Sequence, residues 1–198
     1  MEFKLDESVS KTRDIDRQLF DINTSFSRKL LEEANKKSLS KVKKGKALEK
    51  LAAYLFSGIE GFDVRTNQRT QDAQLDLIIR NSVKYDPIYD VLGKFILVEC
   101  KNWFTEKVGV QEVKNFIANV HFSYCNCGIL VTKRGITGSS KDVEKDKKDA
   151  ELTILKEFHQ DNIVIIVLTL KDLQAIVEGK SNLLSVLLDK YEAIKLDK

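Results

Sequence analysis

The residues of this 198-residue chain best suited to chemistry lie in "FILVECKNW", Phe95 to Trp103. An apolar run of strand type, Phe95 to Val98, ends in a carboxylate and an ammonium one residue apart, Glu99 and Lys101. Alternate side chains of a strand share a face, so these two point together while Cys100 points to the other side. The triplet alone is a weak signal. About one acid-x-Lys triplet is expected by chance in a chain this long, and others begin at Glu2, Glu112, Asp146 and Glu178. Only the one at Glu99 closes an apolar strand. A second carboxylate, Asp76 in "QLDLIIR", sits where an alternating, half-buried strand sets it opposite Leu75, Leu77 and Ile79. A buried carboxylate needs a cation, a donor or water. Two strands delivering one carboxylate each make an oxygen-rich site for a hard divalent ion such as Mg2+. Lys101 beside it would steady a nucleophilic water or a phosphate oxygen. Spacing alone leaves a plain salt bridge from Asp76 or Glu99 to Lys101 equally open.

The elements that must position these groups alternate. Ile15, Leu19, Ile22, Phe26 and Leu30 recur at helical spacing and predict an amphipathic helix from Lys11 to about Lys36. Ser38 and Ser40 offer N-caps for a second helix to about Phe56, which Gly58 and Gly61 stop. Strands are predicted at Phe62–Thr66, Gln74–Arg80, Phe95–Lys101, "CGILVT" and "NIVIIVLTL", the last with the continuous apolar character of a strand buried on both faces. The polar segment Asn81–Gly93, with the only proline, Pro87, reads as a long connection. A helix with Val110, Val113, Ile117 and Val120 on one face follows the triplet. A charged helix precedes the last strand, and short helices at about Lys171–Val177 and Asn182–Ile194 close the chain. The order predicts an α/β fold, a central mixed sheet of about five strands flanked by helices. Residues 1–40 are expected to form a helical extension and 41–198 the main domain.

A hydrophobic content of 42% supports one sizeable core. The net charge of +3 says little about partners, but the cations between Arg28 and Lys50 outnumber the acids and suit a polyanion or a solvated helix face. A polar N-terminus and the lack of any apolar run near the ~20 residues of a membrane span predict a cytoplasmic protein. Three cysteines, Cys100, Cys125 and Cys127, fit a reducing compartment. Cys125 and Cys127 with His121 nearby offer half a zinc site, and strand-edge packing is the preferred reading.

The order Gly45-x3-Glu49 on a helix, Asp76 on a strand, Glu99-x-Lys101 on the next, Gln111 on the following helix and then "GILVT" resembles the Mrr-like restriction endonucleases of the PD-(D/E)xK superfamily. The resemblance runs from about Lys44 to Leu168. Leu75 stands where that motif has proline, a position that is not a ligand, and Glu99 where some Mrr-like proteins carry Gln. The resemblance implies a restriction-endonuclease-like core and a hydrolase: a Mg2+-dependent endonuclease acting on DNA, with Mn2+ as a substitute ion, in defence against foreign DNA. It implies that Asp76, Glu99 and the backbone carbonyl of Cys100 bind the metal. Lys101 would orient or deprotonate the attacking water, Glu49 would reach the ion through water, and Gln111 would be an accessory group. The alternatives are a catalytically inactive nucleic-acid-binding module of the same fold, or a junction resolvase or RNA-directed nuclease.

Several cations are candidate DNA-backbone contacts: Arg65 and Arg69 after the first strand, Lys43 and Lys44 on the second helix, and Lys133, Arg134 and Lys141 in a Gly-rich loop before a helix. Trp103 and Phe104 are expected to pack under the loop after the triplet rather than to stack on a base. Because cutting both strands takes two active sites, a homodimer is expected, formed through the N-terminal helix.

Overall fold

The computed structural model describes residues 19–69, 74–84, 86–138 and 150–196. Among the described residues the elements in order are α1 (Thr24–Asn35), α2 (Lys41–Ser57), β1 (Phe62–Arg69), β2 (Gln74–Asn81), α3 (Asp86–Leu92), β3 (Phe95–Lys101), α4 (Val110–Phe122), β4 (Cys127–Thr132), α5 (Ala150–Asp161), β5 (Val164–Thr169), α6 (Leu170–Val177) and α7 (Leu183–Lys195). The strands form one sheet in the order β1-β2-β3-β4-β5. β1, β2 and β3 pair antiparallel, while β3, β4 and β5 run parallel. β3 is therefore the seam between two halves of a mixed sheet. Its parallel neighbours need crossovers, which α4 and α5 supply.

Two apolar layers cover the faces. Ile96, Val98 and Cys100 of β3, with Leu77, Ile79, Ile129 and Ile166, pack under α1, α2, α3, α6 and α7. Leu97, Leu130 and Ile165 point the other way, into Val113, Phe116 and Val120 of α4 and Ala150 and Ile154 of α5. Gly128 lets α4 come close. A Cβ there would meet Val120 Cγ2 at 2.8 Å and the Phe116 ring at 2.9 Å. Gly128→Ala is expected to destabilise the protein by about 1–3 kcal/mol through overpacking, read as a melting temperature several degrees lower.

Three expectations change. The stripe beginning at Ile15 is not one helix over its described part. Phe20 instead forms an antiparallel bridge with Ile59, and α1 starts only at Thr24. Asn23 causes the break, since its side chain accepts from Phe26 N at 2.9 Å and its own N–H donates to Tyr54 Oη at 2.9 Å. Gly58 permits the bridge, because a Cβ on it would sit 2.6 Å from Asp21 O and from Ile22 Cγ2. Residues 11–18 lie outside the described part. Second, the connection Asn81–Gly93 contains α3, whose Ile88 and Leu92 are buried in the larger core. Third, Leu75 does not share a core with Leu77 and Ile79 but packs with the α4-side cluster.

Candidate active site

The strands fork at the site. β2 and β3 pair from Arg80 with Phe95 to Leu77 with Val98 and no further, although β3 continues beside β4 to Lys101 with Thr132. Past the fork the Cys100 N–H has lost its strand partner, and it donates instead to Asp76 Oδ2 at 2.8 Å. The carboxylate of β2 thereby replaces the carbonyl that a continuing strand would have offered. A residue's N–H and C=O face the same neighbouring strand, so the Cys100 carbonyl lies on the Asp76 side as well. The Cys100 side chain faces the larger core, and Glu99 and Lys101 remain partly exposed.

Lys101 Nζ lies 2.5 Å from Glu99 Oε1, with side chains 28% and 15% exposed. The alternation read from the sequence is thus realised, and so is the salt bridge. Burial pulls the Lys101 ammonium down, but the hydrogen bond to Glu99 and the charges of Glu99 and Asp76 outweigh it and hold Lys101 above its ordinary range. Lys101 is therefore a cation at neutral pH, suited to orienting water and countering negative charge rather than to accepting a proton.

Glu49, from the middle of α2, completes a set of three carboxylates. Burial raises its carboxyl, and the charges of Asp76 and Glu99 raise it further against Lys46. Burial likewise raises Glu99, with Asp76 adding to it. Asp76 is raised by burial, opposed by the Cys100 N–H and by Lys101. Three carboxyls with two ammoniums, Lys101 acting on Asp76 and Glu99 and Lys46 on Glu49, are short of positive charge. Their donors are oxygen alone, the set that a hard cation such as Mg2+ takes.

The surrounding supports were only partly foreseen. Asn102, directly after the triplet, is 7% exposed, and its Nδ2 donates to Ala34 O at 3.1 Å and Lys44 O at 2.7 Å. It joins the end of α1 and the start of α2 to the end of β3. An amide beside a catalytic-type lysine at a buried strand end was the available signal. Phe104 lies under two ammoniums, with Lys133 Nζ at 3.7 Å and Lys44 Nζ at 4.5 Å from its ring centroid. Lys133 also donates to Asn35 Oδ1 at 2.6 Å. Burial and the charges of Lys37 and Lys44 lower its ammonium. Arg134 donates to the carbonyls of Phe104 and Thr105. Trp103 packs on the α4-side core, as expected.

Other candidates are placed apart from the carboxylates or are already engaged. Gln111 is exposed, with Nε2 donating to Asn115 Oδ1 at 3.0 Å one turn along α4. Arg65 pairs with Asp63 at 3.0 Å on the exposed side of β1. Arg69 ends β1, and its side chain, like Lys141 altogether, lies outside the described residues. Cys125 and Cys127 are buried, with thiols pushed by that burial up to about 11 and about 12. His121 turns instead to Glu157 at 2.5 Å and Asp161 at 3.9 Å, so the half zinc site does not assemble.

Fold and site together define an α/β protein whose mixed sheet carries Asp76, Glu99 and Lys101 at the fork between its antiparallel and parallel halves. The chain belongs to the Mrr_cat restriction endonuclease family, matched over residues 39–160. Among solved structures it is similar to the DNA modification-dependent restriction endonuclease AspBHI, with a TM-score of 0.43 and 15% identity over 92% of this chain and 43% of that one. The chain therefore spans less than half of that enzyme. No curated protein matches it. Among the described residues no helix is long and apolar enough to cross a membrane.

Proposed function

We propose that the protein is a Mg2+-dependent endonuclease of the Mrr type that hydrolyses phosphodiester bonds in DNA, working in the cytoplasm against foreign DNA. The observation that carries this reading is the fork at which Asp76 accepts from the Cys100 N–H beside the Glu99–Lys101 pair, with Glu49 near enough to feel both carboxylates. Asp76, Glu99 and the Cys100 carbonyl would hold the ion, and Glu49 would reach it through water. Bound there, a divalent cation lowers the pKa of water and offsets charge developing on phosphate. Lys101 keeps its proton, orients the attacking water and stabilises the negative charge that grows on the phosphate oxygens. Gln111 would serve as an accessory group only on releasing Asn115, to which its amide is bonded. Lys43, Lys44, Lys133 and Arg134, with Arg65, Arg69 and Lys141, supply backbone contacts. Residues 1–40 act as an extension to a nuclease domain over 41–198, and two copies join to cut both strands.

The closed ion pair between Glu99 and Lys101 favours one rival, a module that keeps the fold and binds nucleic acid without cutting it. Incubating the protein with supercoiled plasmid, RNA and a four-way junction, in EDTA and in Mg2+, separates the readings. Plasmid is expected to be nicked and linearised in Mg2+ and untouched in EDTA. Binding to all three with no cleavage would establish the non-cutting module, whereas preference for the junction or for RNA would redirect the substrate assignment.

A further inference from the structure

Glu49 borders a groove of about 680 Å3, lined also by Lys43, Lys46 and Lys50 of α2, by Glu33 of α1 and by Thr66 and Asn67 of β1. Lys43, Lys46 and Lys50 are three and four residues apart, so they form one row on the helix. All three are exposed, and among the described residues none takes part in an ion pair. Glu49 stands in the same wall between Lys46 and Lys50, so the row passes the site carboxylate that α2 carries. Asn67 marks the other wall. The β1–β2 register passes from Thr66 with Leu77 to Gln68 with Leu75, leaving Asn67 opposite Asp76 at the skipped pair. Its backbone stands at φ 51°, a left-handed conformation that asparagine tolerates better than most residues.

We infer that this groove is the track for one strand of the nucleic-acid substrate, with Lys43, Lys46 and Lys50 holding successive phosphates on the way to the carboxylates. The inference rests on the phosphodiesterase reading. At 1.5 Å per residue the row is ~10 Å long, long enough to meet more than one phosphate of a strand that carries a charge about every 3.4 Å of duplex axis. A mononucleotide would use only part of it. The groove is lined by lysines, the carboxylates Glu33 and Glu49, small polar groups, Leu39 and Ala47, with no aromatic ring on which a base could stack. The track therefore holds backbone and is indifferent to sequence, and Lys46 and Lys50 gain a role in binding that their own helix does not require.

The test is fluorescence anisotropy of labelled DNA, single-stranded and duplex, in two unrelated sequences, with the full chain in EDTA so that nothing is cut. Lys46→Ala/Lys50→Ala is compared with wild type and with Lys114→Ala on α4, after thermal melts show all three folded. The double variant is expected to bind at least about tenfold more weakly at low salt, by the same factor for both sequences. Its slope of log affinity against log salt should shrink by about 1.4–1.8, the share of two lost phosphate contacts, while Lys114→Ala matches wild type. Unchanged affinity and slope in the double variant would overturn the track and leave the nuclease reading standing. A loss confined to one sequence would overturn it too, since the groove would then read bases. Wild type that neither binds nor cuts any DNA would remove the nuclease reading itself.

Discussion

Asp76→Asn is expected to lower Mg2+-dependent cleavage by roughly a thousandfold, the scale of removing a group that stabilises transition-state charge, and at the same time to raise the melting temperature of the metal-free protein. The two effects share one cause. Asp76, Glu99 and Glu49 are all raised, each by burial first, so their ionised forms are disfavoured in the fold. A carboxyl raised in the native state binds protons more tightly there than in the unfolded chain. Stability therefore falls as pH rises from near the ordinary carboxylate values through the raised ones. The penalty is complete at neutral pH and absent in acid. Asparagine carries no such penalty, yet its amide oxygen can still accept from Cys100 N–H. The metal-free variant should melt above wild type at pH 7, and the difference should close as pH is lowered toward 4, a region near the ordinary carboxylate pKa. Mg2+ should raise the wild-type melting temperature at pH 7, because an ion that binds only the native state stabilises it, and should do little for the variant. A calorimetric melt series over pH, with and without Mg2+, reads all of this. A variant less stable than wild type at pH 7 would show that Asp76 is held as a structural partner of Lys101 and Cys100.

The second large effect is expected at Asn102. Asn102→Ala strips the donor from the carbonyls of Ala34 and Lys44 at once. Ala34 is in the last turn of α1, where helix carbonyls lack partners of their own. Leaving the buried Ala34 carbonyl unsatisfied costs about 1–3 kcal/mol, which for a chain of this size lowers the melting temperature by several degrees. The start of α2 is also released from the end of β3, and Glu49 rides on α2. Cleavage should fall by about tenfold or more, with more Mg2+ needed for half-maximal rate. A variant with lowered stability but an unchanged Mg2+ requirement would restrict Asn102 to holding the helices together.

Much of this site was legible because strand chemistry is local. The apolar run into Glu99 and Lys101, the alternation that turns Cys100 away, and the placing of Asp76 one strand earlier all follow from a period of two. The helix of Glu49 was equally readable from Gly58 at its end and from Ser40, whose side chain accepts from Lys43 N. What could not be read was non-local. That β2 parts from β3 after Leu77, freeing the Cys100 N–H for Asp76, depends on how two strands diverge and not on the letters of either. Leu75 was misassigned for that reason. The Asn23 break defeated a helical stripe because Phe20 finds a better partner at Ile59, far along the chain. α3 was hidden by a proline and a polar composition, although Ile88 and Leu92 sit four apart. Asn102 looked like one more polar residue after a strand, since its two partners lie in helices read separately.

The account stands most directly on one side-by-side assay. Wild type and Glu99→Ala, both stripped of metal, are given supercoiled plasmid and then Mg2+. Wild type is expected to convert the plasmid to nicked and linear forms only after Mg2+ is added, while Glu99→Ala, folded to the same extent by circular dichroism, leaves it supercoiled. Cleavage by Glu99→Ala at the wild-type rate would contradict it, because the fork between β2 and β3 would then not be where the bond is broken.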